Sequence, residues 1–259
     1  MIITLLTDFG TGDHYAGAMK GAILSAAPDV TVLDITHDIP PQDIGRAAFL
    51  LHIAWPAFPE GTVHAAVVDP GVGSSRRVIA AAAGKQLFLA PDNGVLSYIF
   101  NSFPDAAVRS VENRELFHPE ISSVFHGRDI FAPVAAFLAT GGALEDTGPA
   151  ADDTVRIPVP VPVLKGGVIK GEVIYVDGFG NCITNIHRSL LAGRVPAAAE
   201  AAGERFSCSG STYSDTVPGG PVVLIGSHGH VEVAVRNGNA ASLFGLEAGS
   251  DVRLYLEDI

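Results

Sequence analysis

Three short apolar runs, residues 2–6, 30–35 and 62–68, are separated by two stretches of helical pattern, 13–27 and 43–55. This strand–helix alternation constrains the fold more than any other feature of the chain. Strands alternating with helices build a mainly parallel sheet whose two faces are both covered, since each crossover helix buries its apolar side on the sheet. Asp13 is placed to cap the first helix, which stops before Pro28, and the second ends before Pro56. Residues 78–82 and 86–90 flank Ala83-Gly84-Lys85, which is hairpin chemistry. Open α/β sheets gather their ligands beyond the carboxyl ends of the strands. Asp8 and Asp69 each follow an apolar strand at that edge, so the two aspartates are expected to share a site.

The pattern changes near residue 149. Pro149, Pro158, Pro160 and Pro162 punctuate an extended stretch with little helical character. Beyond it come short β-rich runs at 168–176, 222–225, 231–235 and 252–256, the signature of a smaller antiparallel domain, a barrel. The alanine-rich stretch 190–204 reads as a short helix or a loose loop. The expected organisation is an α/β domain over 1–155, a proline-rich connector over 156–167 and a C-terminal β-barrel domain over 168–259.

Hydrophobic residues make up 47% of the chain and charged residues 17%, a balance that fills a core rather than a disordered chain. The net charge of −12 argues against nucleic acid or an anionic membrane as partner, because phosphate binding requires a basic face. Cys182 and Cys208 form neither a disulfide framework nor a C-x-x-C metal site, so a reducing compartment is expected. The apolar start, residues 1–6, lacks a basic flank and is too short for a leader or a membrane span, which points to the cytoplasm.

Four polar segments carry the chemistry. Thr7-Asp8-Phe9-Gly10-Thr11-Gly12-Asp13 is a glycine-rich strand-to-helix turn that lacks the dinucleotide G-x-G-x-x-G spacing. Its carboxylates suit hydroxyl groups, and a vicinal diol can donate two hydrogen bonds to one of them; the plainer use is turn formation by Asp8 and capping by Asp13. In Asp69-Pro70-Gly71-Val72-Gly73-Ser74-Ser75-Arg76, proline extends Asp69 and the glycines allow a tight return of Arg76. An Asp–Arg pair there either keeps a carboxylate ionised beside a polarised water or is a structural ion pair at a strand end. Phe125-His126-Gly127-Arg128-Asp129 places a histidine, the side chain suited to proton transfer near neutrality, before a helix. Asp177-Gly178-Phe179-Gly180-Asn181 is either a hairpin turn or a platform on which Phe179 stacks against a base. His228 and His230 have the alternation of metal ligands on one strand face, but no accompanying carboxylate or cysteine cluster, so no metal is expected.

Taken together, TDFGTGDHYAG, ITHDIPPQDI, VVDPGVGSSRR, APDNG, FHGRDIFAP, DGFGNCITNI and AVRNGNAA resemble the S-adenosyl-L-methionine hydroxide adenosyltransferase family, relatives of the fluorinases and chlorinases. They span nearly the whole chain. The resemblance implies an N-terminal α/β domain, a C-terminal barrel, and a homotrimer with active sites between subunits. It also implies hydrolysis of S-adenosyl-L-methionine to adenosine and L-methionine without a cofactor. Asp69, Arg76 and His126 would form the catalytic set, and Asp8 would hold the ribose diol, with Asp13, Phe125 and Gly127 beside the substrate. Asp177, Ser227 and Asn181 would hold the methionine part, with Phe179, Asn237 and Ala240 beside adenine. The halogenating relatives lack the acid at the Asp69 position, carry a small halide-binding residue near the Gly127 position, and have a long insertion for which the 78–90 hairpin leaves no room. Fluorinase-type sequences have arginine where this chain has His228.

Two other readings fit parts of the pattern. Calcium-dependent nucleoside hydrolases open on a similar aspartate-rich turn, but they need a second aspartate where this chain has Leu6. A non-catalytic adenosine or S-adenosylmethionine sensor would use the same pocket without needing Asp69, Arg76 and His126 together.

Overall fold

In a computed structural model, residues 1–207 and 210–256 are described. The chain divides into two compact units, Met1–Val159 and Pro160–Ile259. The first contains β1 (Ile2–Thr7), α1 (Tyr15–Ala26), β2 (Thr31–Thr36), α2 (Ile44–Ala54), β3 (Val63–Val67), β4 (Val78–Ala83), β5 (Gln86–Pro91), α3 (Ser97–Ser102), β6 (Ala107–Ser110) and α4 (Ala132–Ala139). Its six strands lie in the order β2-β1-β3-β5-β4-β6. The pairings β1–β2, β1–β3 and β3–β5 are parallel, and the β4–β5 hairpin adds the antiparallel edge with β6.

Alternation along the central strands explains the two covered faces. Ile3 and Leu5 of β1 join Val63, Ala65 and Val67 of β3 in a core with Met19 and Ile23 of α1 and most of α4. Leu6, Ala66 and Val68 face the opposite way, onto Ala47, Ala48 and Leu51 of α2 and Ile99 and Phe100 of α3. Positive φ at both Gly84 and Lys85 gives the β4–β5 hairpin the backbone that matches strand twist. One capping expectation fails. The N-cap of α1 is His14, which makes no side-chain cap, and Asp13 is exposed one residue earlier. Asp43 does cap α2, accepting from the Arg46 N–H.

The second unit holds β7 (Val163–Lys165), β8 (Val168–Val176), β9 (Cys182–His187), β10 (Pro196–Ala201), β11 (Glu204–Ser207), β12 (Pro221–Ile225), β13 (His230–Val235), α5 (Ala240–Phe244) and β14 (Asp251–Leu256). The sheet runs β11-β10-β14-β8-β9-β13-β12, antiparallel throughout and barrel-like, with β7 also on β8. The alanine-rich stretch is corrected here. Residues 196–201 form a strand between β14 and β11, turned by Ala202 and Gly203 at positive φ. Pairing on both edges overrides alanine's preference for helix. Cys182 is buried, and burial pushes its thiol up to about 11; Cys208 lies outside the described residues. Among the described residues, no helix is long and apolar enough to cross a membrane.

His64 crosses the middle of the first sheet. The Thr4 hydroxyl lies 2.7 Å from its Nδ1, Gln86 Oε1 bonds its Nε2, and the ring stacks on Phe88 at 5.1 Å. Burial holds its pKa down to about 4, against the opposing effect of the Gln86 bond. The unfolded chain takes up this proton near 6.5 and the folded one only near 4, so its contribution is complete above pH about 6.5 and is lost as pH falls toward 4. Wild type should lose about 3 kcal/mol of stability from this site across that window. Urea midpoints at a series of pH values should fall more steeply for wild type than for His64→Gln. Parallel curves would refute the assignment.

Candidate active site

Asp69 leaves the end of β3 half-buried, and Asn93 braces that end by donating its side-chain amide to the Val68 carbonyl at 2.8 Å. Two close turns follow. The Val72 N–H reaches the Asp69 carbonyl and the Ser74 N–H the Gly71 carbonyl, each at 3.1 Å. They swing Arg76 back over Gly71, where an added Cβ would sit 2.9 Å from Arg76 Cγ. Arg76 then grips Asp69 with two donors. Its Nε bonds Oδ1 at 2.8 Å and its Nη2 bonds Oδ2. Side chains of both are largely shielded from solvent, which makes this bidentate pair stronger than a surface ion pair.

A second loop closes on this turn. Gly73, at φ 76°, lies so near the Ser123 carbonyl that a Cβ there would come within 2.2 Å of the oxygen. Only glycine allows both that backbone and that approach. The contact sets the 122–126 segment beside Arg76, whose Nη2 also lies 2.9 Å from His126 Nδ1. A guanidinium has donors only, so His126 Nδ1 must accept, and the neutral ring carries its proton at Nε2. Burial, then the Arg76 charge, lowers the His126 pKa, while Asp69 and Asp129 work in the opposite direction. Behind the set, Arg76 rests 5.7 Å from the centre of the Phe131 ring.

His126 opens a π-helical turn, Gly127–Phe131, that leads into α4. Asp129 inside that turn is fully buried and accepts from Arg128 at 2.6 Å and from the Ser122 N–H at 2.8 Å. Against burial, which raises it, these bonds hold its carboxyl below the usual range. Asp129 therefore ties the loop before His126 to the turn after it.

The Asp8 turn meets the same place through aromatic contacts. A Cβ on Gly127 would lie 3.1 Å from Phe9 and 3.3 Å from Phe125. The Phe9 and Phe125 rings sit edge-on at 6.0 Å, and Tyr15 stands perpendicular to Phe125 at 5.1 Å. Asp8 Oδ2 accepts the Gln42 N–H at 2.9 Å. Tyr15 is 41% exposed beside these residues and was not singled out from sequence; its place in the first turn of α1, after the Asp8 loop, is the signal that would have found it. Asp8, Asp69, Arg76, Phe125, His126 and Gly127 thus gather at one edge of the first sheet, with Asp13 exposed on the adjoining loop.

In the second unit, Asp177 is largely occupied within its own turn. Its Oδ1 accepts the Phe179 and Asn181 N–H groups and its Oδ2 the Asn181 side-chain amide, each at 2.9 Å. Phe179 projects from that turn 80% exposed. Gly180 packs under the Asn239 side chain, and the Ala241 N–H bonds the Gly180 carbonyl, so the start of α5 is fixed to the Asp177 turn. Ala240 is buried, while Asn237 is exposed at φ 57°. Asn239, which caps α5 through the Ser242 N–H, was missed from sequence, although an asparagine before an alanine pair is a capping signal.

Ser227 is exposed in the turn between β12 and β13. His228 Nε2 lies 3.0 Å from Glu232 Oε1, and Glu232 also accepts the Tyr213 hydroxyl at 2.8 Å. Burial and that bond push the Tyr213 phenol upward. His230 instead places Nδ1 2.9 Å from the Thr184 carbonyl. Among the described residues, no three His, Cys, Asp or Glu side chains are arranged to hold a metal ion.

Comparison with known proteins yields a consistent set. The model described as SAM hydroxide adenosyltransferase N-terminal domain matches residues 3–148, and its C-terminal counterpart matches residues 171–253. A Salinispora tropica protein named (R)-S-adenosyl-L-methionine hydrolase is 40% identical, with 97% of each chain covered. An Actinoplanes fluorinase is 30% identical over 97% of this chain and 96% of its own. The crystal structure of an uncharacterized conserved protein from Thermotoga maritima matches with a TM-score of 0.92 at 36% identity, covering 98% of this chain and all of that one.

A ¹⁵N-resolved titration of the histidine side chains checks the protonation state assigned to His126. Its ring should show the proton on Nε2 and titrate below 6.5, the ordinary histidine value. A protonated Nδ1 in the neutral ring, or a midpoint above 6.5, would contradict the Arg76 contact.

Proposed function

The chain belongs to the SAM hydroxide adenosyltransferase family, and we propose that it hydrolyses S-adenosyl-L-methionine to adenosine and L-methionine by attack of water on the ribose C5′ carbon. The observation that carries this reading is the contiguous Asp69–Arg76–His126 set. Methionine leaves as a neutral thioether, so nothing need protonate it. The chemical demand falls on the nucleophile, since free water has a pKa of about 15.7.

The geometry supports a division of labour. His126, with Nδ1 taken by Arg76, meets a water as a donor through Nε2–H. Asp69 keeps a lone pair on each oxygen beyond those Arg76 uses, and it takes the water's proton. Arg76 holds both partners in register and stabilises the developing hydroxide. Asp8 takes the ribose hydroxyls, with Asp13, Phe125 and Gly127 beside the sugar. In-line placement of water, C5′ and sulfur supplies much of the remaining effect. The substrate's own sulfonium releases methionine as the C5′–S bond breaks, so the reaction calls for no cofactor.

The rest of the ligand falls to the second unit. Asp177, Asn181 and Ser227 would hold the amino-acid end, and Phe179, Asn237 and Ala240 the adenine. Phe179, exposed at the tip of a rigid turn, supports this assignment best. We place this unit's contribution on a neighbouring copy, in a cytoplasmic homotrimer with each site between subunits.

Incubation with S-adenosylmethionine in ¹⁸O-water should give adenosine labelled at the 5′ oxygen, read by mass spectrometry, with or without a chelator. Free adenine, or 5′-chloroadenosine when chloride is supplied, would overturn the reaction. Subunit complementation checks the assembly. Asp69→Ala and Asn181→Ala should each be nearly inactive alone, and trimers formed by their random mixing should recover about a quarter of wild-type activity. Recovery of none would place each site within one chain.

A further inference from the structure

The segment ITHDIPPQDI, residues 35–44, has no part in the chemistry above, yet it is bonded to the Asp8 turn at four points. We propose that His37 is a positioning residue for the Asp8 carboxylate, acting through the loop that it anchors. This rests on the reading of Asp8 as the group that holds the ribose hydroxyls.

His37 is 5% exposed and sits just beyond β2, beside the end of β1. The Thr7 hydroxyl oxygen accepts the Phe9 N–H at 3.2 Å, so its own proton is available to His37 Nδ1 at 2.8 Å. The other ring nitrogen, Nε2, lies 3.0 Å from Asp34 Oδ1, and Asp34 Oδ2 takes the Lys20 ammonium at 2.6 Å. Against burial, which raises it, Lys20 and His37 hold the Asp34 carboxyl below its usual range. With Nδ1 accepting from Thr7, the ring's proton falls on Nε2, which faces the Asp34 carboxylate at ion-pair distance without the alignment of a hydrogen bond. Thr7 fixes the ring from one side, and the Asp34 carboxylate lies against the other.

The backbone completes the link. The His37 carbonyl accepts the Gly10 N–H at 2.8 Å, and the Ile39 N–H reaches the Thr7 carbonyl at 3.4 Å. The loop then reverses at Gln42, a non-glycine residue at φ 67°, a strained conformation that persists only where its surroundings impose it. That reversal delivers the Gln42 N–H to Asp8 Oδ2 at 2.9 Å. Asp8 Oδ1 has no hydrogen-bond partner among the described residues. The carboxylate is therefore held by one oxygen and presents the other.

A vicinal diol gains from a carboxylate only if the carboxylate already stands at the right rotation. Loosening the 36–42 loop would free that rotation without removing the charge. A buried histidine that merely satisfied the sheet edge would affect stability and leave recognition of the sugar hydroxyls alone. The two roles separate in the ratio of affinities for adenosine and 2′-deoxyadenosine.

Calorimetric titration of both nucleosides into the whole protein is the test. Wild type should prefer adenosine by about tenfold or more. His37→Leu should bring the ratio close to one and raise KM for S-adenosylmethionine more than it lowers kcat. His37→Asn, whose amide oxygen can still accept the Thr7 hydroxyl, should restore most of the ratio. Thr7→Val, nearly isosteric, should lose part of it and decides the matter if His37→Leu does not fold. An unchanged ratio in folded His37→Leu or in Thr7→Val overturns the proposal. Asp8→Asn serves as the control: if it leaves the ratio intact, the reading of Asp8 itself fails, whatever His37 does.

Discussion

One guanidinium organises the first unit's site. Arg76 has donors and no acceptors, so whatever touches it must accept. With two donors on the Asp69 carboxylate and one shared with His126 Nδ1, it fixes the orientation of the first and the tautomer of the second. A lysine there would supply charge as a point, without the planar fork that aligns two partners at once. In the proposed reaction, the roles of base and donor around a water follow from that single geometry rather than from separate tuning of two groups.

The guanidinium reaches its place because three loops approach closely at positions where a side chain would intrude. Gly71 lets Arg76 fold back, Gly73 lets the 70–75 turn touch the Ser123 carbonyl, and Gly127 admits the Phe9 and Phe125 rings. The neighbouring arginine does different work. Arg77 points away, bonding Asp92 at 2.6 Å and Asp153 at 2.7 Å, and Asp92 in turn accepts the Val155 N–H. It fastens the extended chain after residue 151 onto the end of β5 and makes no contact with Asp69. Consecutive arginines thus divide one turn between the candidate site and a structural clasp.

Much of this was legible from sequence because its causes are local. Strand–turn–helix punctuation placed Asp8 and Asp69 at one edge, and the Pro70-Gly71-Val72-Gly73 spacing foretold the return of Arg76. What escaped depends on partners far along the chain. The strand at 196–201 exists because β14 and β11 lie on either side of it, and nothing in Pro196-Ala197-Ala198-Ala199 announces them. The cap of α1 also escaped, since Asp13 lies one residue short of the position its side chain needed. Asn239 was passed over for Asn237, although only the former caps α5 and packs over Gly180.

His228 shows how a local bond changes the meaning of a residue. In its turn, Nδ1 accepts the His230 N–H at 3.2 Å while Nε2 faces Glu232 at 3.0 Å. His228 Nδ1 is thus occupied as an acceptor and Nε2 is turned to the Glu232 carboxylate, so the ring is fixed on both sides. The buried Glu232 carboxylate is in turn shared with Tyr213, and Gly226 is required beneath it, since a Cβ there would fall 1.8 Å from Oε1. A fixed imidazole lacks the planar five-donor fork that an arginine would bring to such a turn. If the Ser227–His228 turn receives the carboxylate of an amino acid, the contact falls to the Ser227 hydroxyl and backbone donors, since both His228 ring nitrogens already have partners within the unit.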